Sequence, residues 1–215
     1  LASEADVQDF PVSYYTARPT LKQSILEAIQ EILTDLEDMH KNINEQVDIH
    51  LHAGEVILTC GKSKTVEEFL KASKHKVTVI VCGNREMAES LKDAVESIMY
   101  VEYAAAFSIM ARVHKVLLPA HAVLANGGVV STAGTNLVAL AAHRQAVPTV
   151  CVTGIYKLCP LYPNEGQDTL QECVRPTTIV MNDVEQVQPV YDTIDPQLIS
   201  LYITNVGSFP PSFIY

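Results

Sequence analysis

The chain has 215 residues, of which 48% are hydrophobic and 19% charged, and it carries a formal net charge of −10 at neutral pH. This composition excludes a predominantly disordered chain, and the lack of clustered Lys and Arg excludes nucleic-acid binding driven by phosphate neutralisation. No apolar run reaches the roughly 20 residues of a membrane-spanning helix, so a soluble chain of one domain with an appendage, or two small domains, is expected, with no membrane partner.

Residues 1–20 show no clear period and read as a loosely attached lead-in. From there Ile25, Ile29, Ile32, Leu33, Leu36, Met39 and Ile43 recur at three and four residues, which predicts a long amphipathic helix over residues 21–46 with Thr20 able to cap it. At 1.5 Å per residue such a helix is nearly 40 Å long, about enough to link a helical subdomain to the body that follows. The expected organisation is therefore a lead-in and linking helix over residues 1–46 and a second domain over residues 47–215.

His50 and His52 flank Leu51, and alternate residues of an extended segment can place two imidazoles on one face. No third ligand of suitable spacing follows, so a solvated or hydrogen-bonded pair, with no metal, is expected. Residues 55–59 read as a buried strand, TVEEFLKAS as a helix and residues 76–81 as a β-branched strand. A helix over 86–95, a strand over 98–102, a helix over 104–113 and a strand over 116–118 continue the alternation. Such alternation implies α/β architecture, a Rossmann-like parallel sheet with helices on both faces. The abrupt passage Cys82, Gly83, Asn84 suggests a flexible loop missing between strand and helix.

In LPAHAVLANGGVVSTAGTNLVAL an apolar strand is expected to end at Asn126, Gly127 and Gly128 to supply a tight turn, and residues 132–135 to lead into a helix over 136–145. A strand over 149–153 follows, then an irregular loop over 156–167. Residues 168–195 are poorly periodic. A β-rich segment over 198–206 is broken by Gly207, Pro210 and Pro211. Cys60, Cys82, Cys151, Cys159 and Cys173 form no CxxC pair and are read as reduced; with no signal peptide visible, the cytosol is the expected compartment. The absence of an initial Met and the apolar ending at Tyr215 suggest a fragment.

Two turns look alike: residues 60–65 and residues 126–135 each follow a strand and precede a helix. Backbone amides there could face a phosphate, with charge from Lys62, hydroxyls from Ser63, Thr132 and Thr135, and close approach at Gly127 and Gly128. These six residues form a candidate anion pocket for a sugar phosphate or nucleotide, although a plain glycine crossover explains the second turn equally well. There is no GxGxxG fingerprint and no GxxxxGK[ST] loop, and Cys60 is the only reactive residue type at these ends.

Over residues 21–215 the chain resembles the regulatory subunits of eukaryotic translation initiation factor 2B. The resemblance is carried by EVILTCGKSKTVEEFL, by ARVHKVLLPAHAVLANGGVVSTAGTNLVALAAH, by the loop YKLCPLYPNE and by LISLYITNVGSFPPSFIY. The loop and the Thr204, Asn205, Val206, Gly207 ending resemble the beta branch more than alpha or delta. The wider superfamily includes isomerases of methylthioribose 1-phosphate and ribose 1,5-bisphosphate, which keep a cysteine and an aspartate in their pocket. Gly61 and Gly128 stand at those positions here, and neither can attack, protonate or stabilise charge through a side chain. A one-residue slip would return Cys60 to the pocket but would turn the strand's side chains to the opposite face.

The resemblance implies a noncatalytic regulatory or scaffold subunit, without a cofactor, of the complex that exchanges GDP for GTP on initiation factor 2. It also implies partnership with delta, alpha, gamma and epsilon subunits, of which epsilon carries the exchange activity, and sensing of phosphorylation on the substrate's alpha subunit. Leu198, Leu201, Ile203, Asn205, Phe213 and Ile214 are the candidate residues for the pairing surface, an ordinary edge strand being an equal alternative. The alternatives in function are a sugar-phosphate isomerase with altered catalytic residues and a sugar-phosphate or nucleotide sensor without turnover.

Overall fold

The computed structural model describes residues 19–163 and 188–214. The lead-in over residues 1–18, the end of the loop expected over 156–167, most of 168–195 and Cys173 lie outside the described residues. The chain divides into two units, Leu1–Asp38 and Met39–Tyr215. The division falls inside helix α1 (Leu21–Asn44), earlier than the expected boundary after residue 46. Burial explains the position. Met39 and Ile43, with Val47 of α2 (Val47–His50), are buried in a core cluster, whereas Ile25, Ile29, Ile32, Leu33 and Leu36 are exposed.

The second unit contains β1 (Val56–Cys60), α3 (Lys64–Lys71), β2 (Thr78–Cys82), α4 (Arg85–Leu91), β3 (Ser97–Val101) and the short α5 (Ala106–Ile109). Then come β4 (Lys115–Pro119), β5 (Ala122–Val123), β6 (Val129–Thr132), α6 (Thr135–Arg144), β7 (Thr149–Val152), β8 (Tyr191–Ile194), β9 (Leu201–Thr204) and β10 (Gly207–Phe209). The main sheet has the order β10-β9-β7-β4-β1-β2-β3, with every neighbouring pair parallel except β9 and β10. Counted along the chain, the six parallel strands follow the doubly wound order 3-2-1-4-5-6. The winding reverses between β1 and β4, where Leu58 lies opposite Val116.

Alternate residues of each central strand feed two different cores. Leu58, Ile80, Val116, Leu118 and Cys151 pack with Ala106 and Met110 around α5 and with Val138, Ala139 and Ala142 of α6. Ile57, Val79, Val81, Leu117, Val150 and Val152 pack with Phe69 and Leu70 of α3 and with Met87 and Leu91 of α4. Both faces are covered, which is why these strands read as continuous apolar runs rather than as alternating ones. Capping sets the helix starts: Ser63 Oγ accepts from Val66 N–H at 3.5 Å and Asn84 Oδ1 from Met87 N–H at 2.8 Å. The passage through Gly83 is thus a tight turn at φ +72° leading directly into a capped helix.

Three segments differ from the sequence-based expectation. The glycine-rich stretch is not one strand followed by a helix: β4 ends at Pro119, and the chain makes the β5–β6 hairpin before α6. That hairpin joins β8 in a separate antiparallel sheet, β5-β6-β8. The predicted helix over 104–113 is instead the four-residue α5 between 3-10 turns, with Ala106 and Met110 buried and Phe107 exposed. Gly207 does not break the last strand. At φ +137° it starts β10, and the Thr204 hydroxyl closes the hairpin by donating to the Gly207 carbonyl at 2.7 Å.

No helix among the described residues is long and apolar enough to cross a membrane.

Candidate functional site

In an open parallel sheet the crevice outside the carboxyl ends of the strands, at the point where the winding reverses, is the usual ligand position. Here it lies beyond Cys60 on β1 and Pro119 on β4. Gly61 continues β1 at φ +68°, and a Cβ on it would stand 2.6 Å from Thr132 Oγ1 and 3.8 Å from Pro119 Cγ. Little room remains between the two strand ends.

Side chains of the chain itself pack closely around this crevice. A Cβ at Gly83 would overlap the Tyr103 ring, and one at Gly134 would lie 2.9 Å from it, so the ring sits in a slot between two glycines that both hold positive φ. Burial drives the Tyr103 phenol above its ordinary pKa; Cys60, Cys82 and Asp192 act in the same direction, and a backbone hydrogen bond from Gly61 opposes them. At the start of α6, the Gly134 N–H donates to Asp192 Oδ2 at 2.7 Å and the Asn136 N–H to the same oxygen at 3.3 Å. A carboxylate carried on β8 thus holds the amides that would otherwise receive a ligand's anion. The β6–β8 register, with Ser131 opposite Asp192, brings it there.

Of the six anion-pocket candidates, the fold gathers four around the switch point. Thr132 and the buried Thr135 bond locally: the Thr135 hydroxyl donates to the Thr132 carbonyl at 2.6 Å, and the two hydroxyl oxygens are 3.3 Å apart. Ser63 is engaged as the cap of α3, and Lys62 Nζ pairs with Glu86 Oε2 at 2.6 Å on the exposed surface. Gly127 and Gly128 lie elsewhere, in the β5–β6 turn, about 13 Å from Thr132 at the rise of an extended strand. The Gly127 N–H donates to the Leu124 carbonyl at 2.9 Å, and the Gly128 N–H to Asn126 Oδ1 at 2.9 Å. A Cβ at Gly127 would stand 2.9 Å from the Pro211 carbonyl oxygen, and one at Gly128 the same distance from that of Ile194. The buried Tyr202 hydroxyl donates to the Gly127 carbonyl at 2.7 Å, tying this turn to β9. These two glycines permit close backbone packing and do not face the switch point.

Cys60 is buried, and burial pushes its thiol up to about 12; the Cys82 thiol, also buried, rises to about 11. Neither is a thiolate nucleophile near neutral pH. His50 does not lie in an extended segment: it ends α2, and its Nε2 is 2.7 Å from Ser208 Oγ. Among the described residues no cluster of three or more His, Cys, Asp or Glu could hold a metal.

The pairing-surface candidates also separate. Ile203 is fully buried in the core, and Leu198, Leu201 and Ile214 are half-buried against core clusters. Asn205 Oδ1 accepts from the Ile155 N–H at 3.0 Å. Phe213 is 75% exposed and is the one of the six that presents a large free apolar surface. Ile203 is therefore a core residue: β9 lies inside the sheet between β7 and β10, and alternation turns Ile203 onto the α3/α4 side. A further apolar surface was not legible in the sequence. Phe107, Leu137 and Leu140 are exposed around a groove of about 530 Å³, which Ala104, Asn136, Ala141 and Asp192 complete.

Tyr103 and Asp192 were also missed. Tyr103 lies in VEYAAAF, a stretch that reads as a plain helix start, and Asp192 in a segment too short and irregular to show strand period. The paired glycines Gly83 and Gly134 were the only signal of a ring held close to backbone.

Six parallel strands in doubly wound order, a small second sheet and a switch-point crevice lined closely by Tyr103 and Asp192 define a Rossmann-like α/β protein. The sequence profile of the initiation factor 2 subunit family matches residues 11–211, and the chain belongs to that family. It is 40% identical over 212 residues to the translation initiation factor eIF2B subunit beta of Dictyostelium discoideum, covering 92% of this chain and 54% of that protein. The crystal structure of eIF2B beta from Chaetomium thermophilum matches with a TM-score of 0.71 at 28% identity, over 91% of this chain and 57% of that one. A chain of the tetrameric eIF2B-beta2-delta2 complex from C. thermophilum matches with a TM-score of 0.69 at 26% identity, over 94% and 66%. The chain spans about half the length of the curated relatives it matches.

Proposed function

We propose that this chain is part of a beta-type regulatory subunit of the guanine-nucleotide exchange factor for translation initiation factor 2, contributing surfaces rather than chemistry. The observation that carries the reading is the 40% identity over 212 residues to a protein named as the beta subunit. The proposed first partner is a delta-type subunit, in line with the beta2-delta2 complex whose chain this fold matches. Alpha, gamma and epsilon subunits complete the proposed assembly, which meets the alpha subunit of initiation factor 2 in the cytosol and responds to its phosphorylation. The exposed apolar residues Phe107, Leu137 and Leu140 around one groove, and separately Phe213, are the proposed pairing surfaces, because isolated chains seldom leave clustered apolar side chains in water.

The noncatalytic part of the reading rests on side-chain chemistry. Gly61 and Gly128 are proposed to stand where related isomerases keep their cysteine and aspartate. The closely packed crevice and the protonated Cys60 thiol support the Gly61 half of this reading and argue against a sugar-phosphate sensor, whereas Gly128, in the β5–β6 turn away from the crevice, is assigned from the sequence pattern alone.

Native mass spectrometry of what copurifies with the tagged full-length protein from its own cells tests the assembly. Four related companions at equal ratio, two copies of each, are expected; a lone homo-oligomer overturns the reading. In a parallel assay the purified protein neither converts a pentose 1-phosphate nor gains melting temperature from it. Turnover would restore the isomerase alternative.

A further inference from the structure

Helix α6 buries one face in the core and leaves the other in water. Thr135, Val138, Ala139 and Ala142 are buried, whereas Leu137 and Leu140 are 48% and 52% exposed and Arg144, at the C-terminal end, is exposed. Leu137, Leu140 and Arg144 follow one another at three and four residues, so they lie along one stripe of the helix. Across the groove of about 530 Å³ stands Phe107 of α5, 53% exposed, which widens the stripe into an apolar face.

That face carries opposite charges at its two ends. Asp192, brought from β8, lines the groove at the start of α6, where its Oδ2 accepts from the Gly134 and Asn136 N–H groups at 2.7 and 3.3 Å. A carboxylate offers about four lone-pair sites on its two oxygens, so Asp192 can accept from a guanidinium as well. Arg144 marks the other end. From Asn136 to Arg144 is about 12 Å at 1.5 Å per residue, and Leu140 is the midpoint.

The series acid, leucines, base is therefore complementary to itself reversed, which is the condition for an interface with a twofold axis. A second copy of α6 laid antiparallel, with the axis at Leu140, sets Leu140 against Leu140. It also brings Arg144 of each copy level with Asn136, and so with Asp192, of the other. Antiparallel helices in addition place each positive N-terminus beside a negative C-terminus. A face of one charge sign, or one without charge, would have no such preference for its own copy.

We propose that this face takes a second copy of the chain when no delta-type subunit is present, through an antiparallel α6 pair closed at both ends by Arg144 and Asp192 of opposite copies. The inference rests on the reading of Phe107, Leu137 and Leu140 as a pairing surface, and it adds the occupant, the axis and the charged contacts.

The test is sedimentation equilibrium of the purified full-length protein alone, from micromolar to millimolar concentration. A monomer–dimer equilibrium is expected. Arg144→Glu, which sets like charges at both ends, weakens it by about tenfold or more, while Arg144→Lys keeps most of it. Leu140→Cys, at the axis, oxidises to a covalent dimer well above the background that the wild-type cysteines give. Both positions are solvent-exposed, so the melting temperature of each variant should stay near that of the wild type. A chain that stays monomeric throughout overturns the proposal, as does a dimer indifferent to Arg144→Glu or one in which Leu140→Cys gives no excess of crosslink. Adding a delta-type subunit tests the pairing reading separately. A monomeric chain that pairs with it leaves that reading standing and this proposal overturned, and a homodimer that ignores it does the reverse.

Discussion

The turn after β1 and the turn that opens β6 both place glycine beside polar side chains, but a helix follows only the first; strand β6 follows the second. In the fold they do opposite things. Gly61 lies at the switch point of a parallel sheet, against Thr132 and Pro119, where a ligand would enter an open crevice. Gly127 and Gly128 lie in a hairpin turn of the second sheet, pressed against the carbonyls of Pro211 and Ile194. The difference comes from the partners of the flanking strands. β1 is central and parallel, so its end opens onto the sheet's carboxyl edge; β6 is antiparallel between β5 and β8, so its start is buried against the chain's C-terminal segment. Glycine spacing reports close backbone approach, and tertiary pairing decides what approaches.

The same contrast can be broken deliberately. The largest effect is expected within the C-terminal segment, where sequence position suggests a surface and burial indicates core. Ile203→Ala should cost about 2–5 kcal/mol in denaturant unfolding, whereas Phe213→Ala should change stability by no more than about 0.5 kcal/mol. Equal effects would mean that the assigned burial of β9 is wrong.

Gly61→Cys should destabilise by about 2–4 kcal/mol, because positive φ and the contact with Thr132 Oγ1 add. Thr132→Ala in the same chain should recover part of the loss. A neutral Gly61→Cys would show that the crevice is more open than its geometry indicates. Asp192→Ala removes the carboxylate from the α6 amides and should cost about 1 kcal/mol, the usual value of a lost helix cap.

Acid should act next. Desolvation, then the charges of Lys115 and His52, hold the His50 pKa below its ordinary 6.5. The unfolded chain therefore takes up this proton first, and stability is present above about pH 6.5 and lost as the pH falls through the lower native value. Melting temperature should drop between about pH 7.5 and 5.5, with a shallower slope in His50→Gln. Glu67, whose carboxyl Lys71 holds below its ordinary value, adds a loss of the same sign at lower pH. Smallest of all is Lys62→Ala: its pair with Glu86 is solvent-exposed at both ends, so thermal melting should not change measurably.

Periodicity alone was enough to locate α1, α3 and α6, and the apolar runs of β1, β2, β4 and β7, to within a few residues. These elements are set by local pattern: recurrence at three and four residues, caps such as Ser63, and β-branched runs buried on both faces. The α/β class followed from their alternation, and membership of the initiation factor 2 subunit family was readable in the motifs around β1 and α6 and in the C-terminal ending. The candidate site was legible only in part. Thr132 does lie against Gly61 and Ser63 follows it two residues on, but the first belongs to a packed hydroxyl pair with Thr135 and the second is the cap of α3.

What the tertiary structure decided is which residues occupy the space those elements enclose. Tyr103 reaches the crevice from a broken helical segment, and Asp192 reaches the α6 amides across 56 residues of chain through the β6–β8 pairing. Ile203 is turned inward by a register that depends on both β7 and β10. None of these placements has a local signature, because each is the outcome of long-range strand pairing, in which one register shift moves a side chain from core to solvent. The sequence by itself determined the repertoire of helices and strands; the order in which the strands paired determined which side chains line the crevice they enclose.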